Sequence, residues 1–123
     1  MPTNSLGADV ALNNTSNYFD GPSVAQGSTG SWFASGTVSL KDTGIAGSAI
    51  YCKLWDGTTV ISSGVLSSPV SGYVGTISVS GYIASPAGNI RISCEDVSLT
   101  TGIMLFNQSG NSKDSTVSVH RIQ

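Results

Sequence analysis

Short runs of alternating apolar and polar residues recur along the chain, separated by glycine, serine, asparagine and aspartate. Residues 31–40 show the pattern most clearly, because Trp32, Ala34 and Leu40 share one parity. Alternation with a period of two is typical of β-strands that bury one face. The chain has one glutamate and three lysines, so strong helix formers are scarce. The pattern therefore predicts an all-β fold.

We expect a single antiparallel β-sandwich of about eight strands, since 123 residues support one domain. Asp56-Gly57 lies between two alternating runs and predicts a tight hairpin turn of type I′. Residues 1–14 are polar and weakly patterned, so we expect an N-terminal arm attached to a sandwich formed by residues 15–123. The strands are predicted at residues 18–24, 31–40, 48–55, 58–61, 72–80, 89–97, 103–106 and 115–122.

The two cysteines, Cys52 and Cys94, both share the parity of aliphatic neighbours in their runs. Our first interpretation is two buried thiols that pack as small apolar side chains. A disulfide that links two core strands is the alternative. Spacing alone supports neither a metal site nor a disulfide framework.

Charge and hydropathy narrow the classes of partner. Charged residues make up 10% of the chain and the net charge is −2, so no basic stripe for a nucleic acid is present. No apolar run approaches the roughly 18 residues of a membrane-spanning helix. Residues 1–14 lack the basic and apolar regions of a signal peptide. We therefore expect neither a nucleic-acid partner nor a membrane partner.

Catalytic groups are few. Glu95 and Asp96 are adjacent on a predicted strand, so they point to opposite faces and cannot form a glycosidase pair. His120 is the only histidine and is expected at the surface of the last strand. We expect no enzyme activity, no cofactor and no metal. The remaining aspartates are expected in or beside turns, where they bind local backbone: Asp9, Asp20, Asp42, Asp56 and Asp114.

If the core-facing parity is correct, Phe33, Tyr51 and Trp55 project outward, with Lys53 between the latter two. An exposed aromatic patch of this kind usually marks a contact surface. We predict an interface with another subunit or a scaffold. Two alternatives stay open: the patch is covered by loops or the arm, or Tyr51 and Trp55 form a platform for sugar rings.

Four segments resemble the small all-β proteins and domains of tailed-phage virions. They lie at residues 17–27 (NYFDGPSVAQG), 30–36 (GSWFASG), 53–60 (KLWDGTTV) and 110–118 (GNSKDSTVS). The similarity extends over most of the chain, from about Asn17 to Ile122. These are turn and strand motifs, and none of them is catalytic.

The resemblance implies a jelly-roll-like sandwich that forms a homotrimer on a virion, made in the cytoplasm of the bacterial host. A capsid cement or decoration protein, bound to the major capsid protein of the phage head, is the first expectation. The alternative is a carbohydrate- or receptor-binding terminal domain of a tail fibre. Because the chain has no long repetitive or coiled-coil shaft, the cement protein is favoured.

Overall fold

A computed structural model describes residues 2–44 and 47–123. These residues form ten strands and no helix, which confirms the all-β prediction. The strands are β1 Thr3–Ser5, β2 Val10–Leu12, β3 Phe19–Val24, β4 Ser31–Asp42, β5 Ala49–Trp55, β6 Val60–Ser67, β7 Tyr73–Ala84, β8 Ile90–Asp96, β9 Gly102–Leu105 and β10 Thr116–Arg121.

The strands form two antiparallel sheets. The four-stranded sheet has the order β3-β8-β5-β6. In the six-stranded sheet, β7 pairs with one side of β4 over its whole length. On the other side of β4, β10 pairs with Trp32–Thr37 and β9 with Ser39–Asp42, so these two follow each other end to end. β1 pairs with β10 and β2 pairs with β9, so these two short strands also follow each other end to end. Both layers are thus four strands wide, as in a jelly-roll-like sandwich.

The core lies between the two sheets, where period-two alternation delivers one side chain in two from each strand. Trp32, Ala34 and Leu40 are buried on β4, as the sequence pattern predicts. Ile92 on β8 and Val117 on β10 are fully buried in the same core. The outward positions are left to serine, threonine, tyrosine and the few charged residues.

The expected N-terminal arm differs most from the structure. β1 pairs with β10 and β2 pairs with β9, so both short strands belong to the six-stranded sheet. The Thr3 and Ser118 hydroxyls are hydrogen-bonded at 2.8 Å, and the Leu12 side chain is fully buried in the core. Three-residue strands carry too little alternation to be recognised in a sequence. Their pairing depends on backbone hydrogen bonds to strands near the other end of the chain.

The β5–β6 connection also differs from the expected two-residue turn. It spans four residues, and only Gly57 has positive φ (93°). The buried Asp56 carboxylate accepts backbone N–H groups of Thr58, Thr59 and Ala87 at 2.6–2.9 Å. Burial opposes its ionisation, but these donors hold the pKa of Asp56 below its usual value. Asp56 thus binds local backbone, as predicted.

Cys52 and Cys94 form a disulfide, which corrects the first interpretation of two thiols. The two residues lie directly opposite each other on β5 and β8, and both are buried. The parity of both residues was predicted correctly. Parity does not determine which residue lies opposite which, so the sequence left the bridge open.

We expect reduction of the disulfide to lower the free energy of unfolding by about 2–4 kcal/mol, because the bond closes a long loop in the unfolded chain. The measurement is the denaturant midpoint with and without reductant. A Cys52→Ala/Cys94→Ala double variant is the control and should not respond to reductant. Labelling of a thiol in the unfolded, unreduced wild-type chain would contradict the bridge.

Candidate functional site

The structure separates the residues that the sequence grouped into one patch. Tyr51, Lys53 and Trp55 project from β5 onto the outer face of the four-stranded sheet. Phe33 projects from β4 onto the outer face of the six-stranded sheet, where its ring lies 5.0 Å from that of Tyr82. The core lies between these faces. The prediction of one shared surface is therefore corrected for Phe33.

On the outer face of the four-stranded sheet, Lys53 binds two aromatic rings. Its Nζ lies 3.6 Å from the Trp55 ring centroid and 4.0 Å from that of Tyr18. Both distances are typical of cation–π contacts. Tyr18 was not among the predicted site residues, because the sequence does not show that β3 lies beside β8. The sequence did show that Tyr18 is an aromatic residue directly before a predicted strand, and this was the signal from which it could have been included.

A chain of hydrogen bonds also holds Trp55 through its indole N–H. The Trp55 indole N–H donates to Ser93 Oγ at 2.8 Å, and the Ser93 hydroxyl donates to Asp20 Oδ1 at 2.7 Å. Arg91 forms an ion pair with the second Asp20 oxygen at 3.1 Å. Together with Lys53 and Tyr18 these residues form what we call the cation–aromatic cluster. These contacts join the residues into one structural network.

Beside this cluster lies an open cleft of about 430 Å³. Two exposed tyrosines, Tyr18 and Tyr51, contribute to its lining. Its other lining residues carry no charge: Cys52, Ser63, Gly64 and Val65. The cleft thus combines aromatic rings, a hydroxyl and exposed strand backbone.

The outer face of the six-stranded sheet is covered by hydroxyl side chains in register. Two rows each cross four strands, and neighbouring hydroxyls within them are hydrogen-bonded where β1 meets β10. A shallow trough of about 420 Å³ lies over the middle of the rows. The rows are Thr3, Ser118, Ser35 and Ser80, and Ser5, Thr116, Thr37 and Ser78.

One side of the sandwich, formed by β6, β7 and their connection, is named here the neutral flank. No charged residue or histidine occurs between Asp56 and Arg91. Among the described residues, β6 pairs only with β5 and β7 only with β4, so each has one open edge. Six of the nine exposed large hydrophobic side chains of the described chain lie here: Val60, Val65, Val70, Tyr73, Val74 and Tyr82.

Two carboxyl groups, Asp42 and Asp96, are buried together at the ends of β4 and β8, and the sequence did not predict this pair. Asp42 Oδ1 accepts the Thr101 hydroxyl at 2.5 Å, and Asp96 Oδ1 accepts the Leu99 N–H at 3.0 Å. Neither Oδ2 atom has a donor among the described residues. A proton on Asp96 that is donated to Asp42 would give both atoms a partner.

The pKa values of Asp42 and Asp96 are shifted in opposite directions. Burial raises the pKa of Asp96, and the adjacent Asp42 carboxyl raises it further, against the Leu99 and Ser98 N–H groups. Burial also opposes ionisation of Asp42, but hydrogen bonds from Thr101, Gly44 and Asp96 hold its pKa below the usual value. The two carboxyls therefore titrate as a pair in which Asp96 holds its proton more strongly than Asp42 does.

Within residues 2–44 and 47–123, no three histidine, cysteine, aspartate or glutamate side chains are grouped as a metal would require. The same residues contain no helix long and apolar enough to cross a membrane. His120 is exposed on β10, paired in register with Phe33.

Comparisons with known proteins show structural similarity to solved β-sandwich structures. No protein-family model matches the chain, and no curated protein matches it in sequence. It is similar to Eiger TNF from S. frugiperda, with a TM-score of 0.50 and 8% identity over 83% of this chain, and it spans 65% of the Eiger chain. At such identity the likeness concerns the fold alone.

Weaker likenesses have TM-scores below 0.5. The C-terminal CBM6 of LamC from Zobellia galactanivorans gives a TM-score of 0.41 at 14% identity, covering 98% of this chain and 100% of the other. VP2 of the infectious bursal disease virus subviral particle gives 0.40 at 10% identity, covering 99% of this chain and 37% of that one.

The acid pair makes stability depend on pH. Because the folded-state pKa of Asp96 is raised, its contribution to stability should be lost as the pH rises through that value. Asp96→Asn keeps a donor toward Asp42 and removes the titrating proton, while the lowered pKa values of Asp42 and Asp56 remain. Its stability should therefore rise from acid to neutral pH by more than that of the wild type. The measurement is the unfolding midpoint against pH. Glu95→Gln is the matched control, and an Asp96→Asn profile parallel to that of the wild type would contradict the raised pKa of Asp96.

Proposed function

We propose that this chain is a structural protein of a phage virion, a self-assembling cement or decoration module that binds the head shell. The observation that carries the proposal is the neutral flank. Open strand edges invite pairing with other chains, and monomeric proteins usually protect them with lysine, proline or inward charges. Here both edges lack charge and carry exposed valine and tyrosine. Such a surface fits a protein that works with this flank covered.

The occupant that we propose for the flank is a second copy of the chain. The outer face of the six-stranded sheet offers a counterpart, since its hydroxyl rows are uncharged and the Phe33 ring on β4 adds apolar area. Contact between two different surfaces of one chain is heterologous, and a closed ring then leaves neither surface open. We propose a homotrimer, the ring that suits three-fold positions of a capsid.

Attachment to a head is the further part of the proposal and is supported by the sequence resemblance to phage virion modules. A shell offers many equivalent sites, so a trimer gains avidity from weak single contacts. The low charge fits this mode of binding, because no steering toward a highly charged partner is needed. A non-catalytic role is consistent with the isolated His120 and with an acid pair buried in the core.

The alternative is a carbohydrate- or receptor-binding domain of a tail fibre. The sequence pattern offered Tyr51 and Trp55 as its paired platforms. The Lys53 ammonium lies 3.6 Å from the Trp55 ring centroid and the indole N–H binds Ser93, so this ring is engaged within the protein. A sugar platform would therefore need a different pair of rings.

Charge placed on the neutral flank should prevent assembly. We expect Val74→Glu/Tyr82→Lys to weaken self-association at least about tenfold, because buried interface anchors commonly contribute 2 kcal/mol or more. The new carboxylate at position 74 would lie opposite Lys41 on β4, and this cross-strand pair of opposite charges supports folding. Sedimentation velocity should give a trimer of the 12.5 kDa chain for the wild type and a monomer for the variant.

Asn13→Glu is the matched control, since it adds a glutamate on the exposed connection between β2 and β3, away from the neutral flank. It should sediment as the wild type does. A wild-type chain that stays monomeric at its highest soluble concentration would refute self-assembly.

Head binding has its own test. The wild-type chain should co-sediment with undecorated heads of the phage that encodes it and reach a fixed number of copies per head. The Val74→Glu/Tyr82→Lys variant should bind far more weakly, because avidity is lost with the trimer. Equal occupancy by the variant would show that the trimer is not the binding unit, and no binding by the wild type would refute the cement role.

A further inference from the structure

We propose that the cleft between Tyr18 and Tyr51 on the outer face of the four-stranded sheet binds a saccharide. The cleft measures about 430 Å³, within the range of about 300–1,000 Å³ typical of small-ligand sites. It lies on the sheet opposite to the hydroxyl rows. Ser63, Gly64 and Val65 of its lining lie on β6 of the neutral flank, so the inference is tested also on the monomeric flank variant.

The lining has the chemistry that a pyranose ring requires. Sugar rings present an apolar face of C–H groups and a rim of hydroxyls, so they bind where aromatic rings adjoin a few polar groups. Tyr51 is 43% exposed and supplies the ring that stacks on the sugar. Tyr18 is 36% exposed and in contact with Lys53, and it supplies a phenol hydroxyl. Ser63 supplies a hydroxyl at the cleft, and Glu95 lies directly opposite Tyr51 on β8.

The charges around the cleft favour a neutral ligand over an anion. Lys53 is the cation nearest in register to the lining, opposite Ser63, and its ammonium is positioned over the Tyr18 and Trp55 rings. Burial raises the pKa of Tyr18, and the nearby Glu95 and Tyr51 raise it further. The Tyr18 hydroxyl therefore stays protonated and can donate a hydrogen bond to a sugar oxygen.

Contacts within the protein hold part of the cleft in place. Its lining includes Cys52, which the disulfide ties to β8. Lys53 holds the Tyr18 ring in place, and the chain from Ser93 through Asp20 to Arg91 fixes Trp55 behind Lys53. Trp55 thus acts as a positioning residue. Little conformational entropy would be lost on binding, which compensates for the small area of the site.

Titration calorimetry on the full, disulfide-intact chain tests the inference. The probes are neutral oligosaccharides of glucose, of galactose and of N-acetylglucosamine. We expect saturable binding to at least one series. Tyr51→Ala should weaken that binding at least about tenfold through loss of ring contact. Tyr51→Phe keeps the ring and should stay within a few-fold of the wild type.

Tyr82→Ala is the matched control, since it removes an exposed tyrosine from the other sheet and should leave sugar binding unchanged. Unchanged thermal midpoints would show that all variants are folded. No saturable binding to any series, or equal losses in Tyr51→Ala and Tyr82→Ala, would overturn the site. The monomeric Val74→Glu/Tyr82→Lys variant should still bind sugar, so failure of the trimer and failure of the cleft are distinguishable.

Discussion

The pairing of β5 with β8 is the constraint on which the rest of the structure depends. These two central strands bring Cys52 and Cys94 face to face on the core side, so a covalent bond fixes their register. A shift by one residue would exchange the inner and outer faces. The same register that buries Ile92 therefore presents Tyr51, Lys53 and Trp55 on the outer face.

The outer face of the four-stranded sheet shows how polar groups stabilise an exposed aromatic surface. Lys53, Trp55 and Ser93 satisfy one another through cation–π and hydrogen-bond contacts. That network makes Trp55 a support, while the neighbouring cleft keeps two tyrosines exposed. A supported side chain beside an open cleft is an arrangement found in binding sites.

The absence of charge has a different consequence at the neutral flank. Glycines let the two sheets approach closely there: a Cβ at Gly64 would lie 2.7 Å from the Ile77 side chain, and one at Gly81 would lie 2.6 Å from Ile61. Close approach leaves no room for the inward charges that protect many edges. In the proposed trimer a second copy covers this edge, and the lack of inward charges is the physical argument for that proposal.

The sequence alone determined eight of the ten strands and their faces, because alternation is a local property that each longer strand carries in its own residues. It placed Trp32 and Leu40 inside and Tyr51 and Trp55 outside, and it placed Asp56 in a turn. Only the tertiary structure decided which strands are neighbours. It joined Cys52 to Cys94, paired Asp42 with Asp96, moved Phe33 to the opposite sheet from Tyr51, and brought Tyr18 to Lys53. It also drew residues 3–5 and 10–12 into a sheet. Each of these depends on the register between strands that are far apart in the chain. Alternation with a period of two predicts on which face of a sheet a side chain lies, but it does not predict which residue lies opposite on the neighbouring strand.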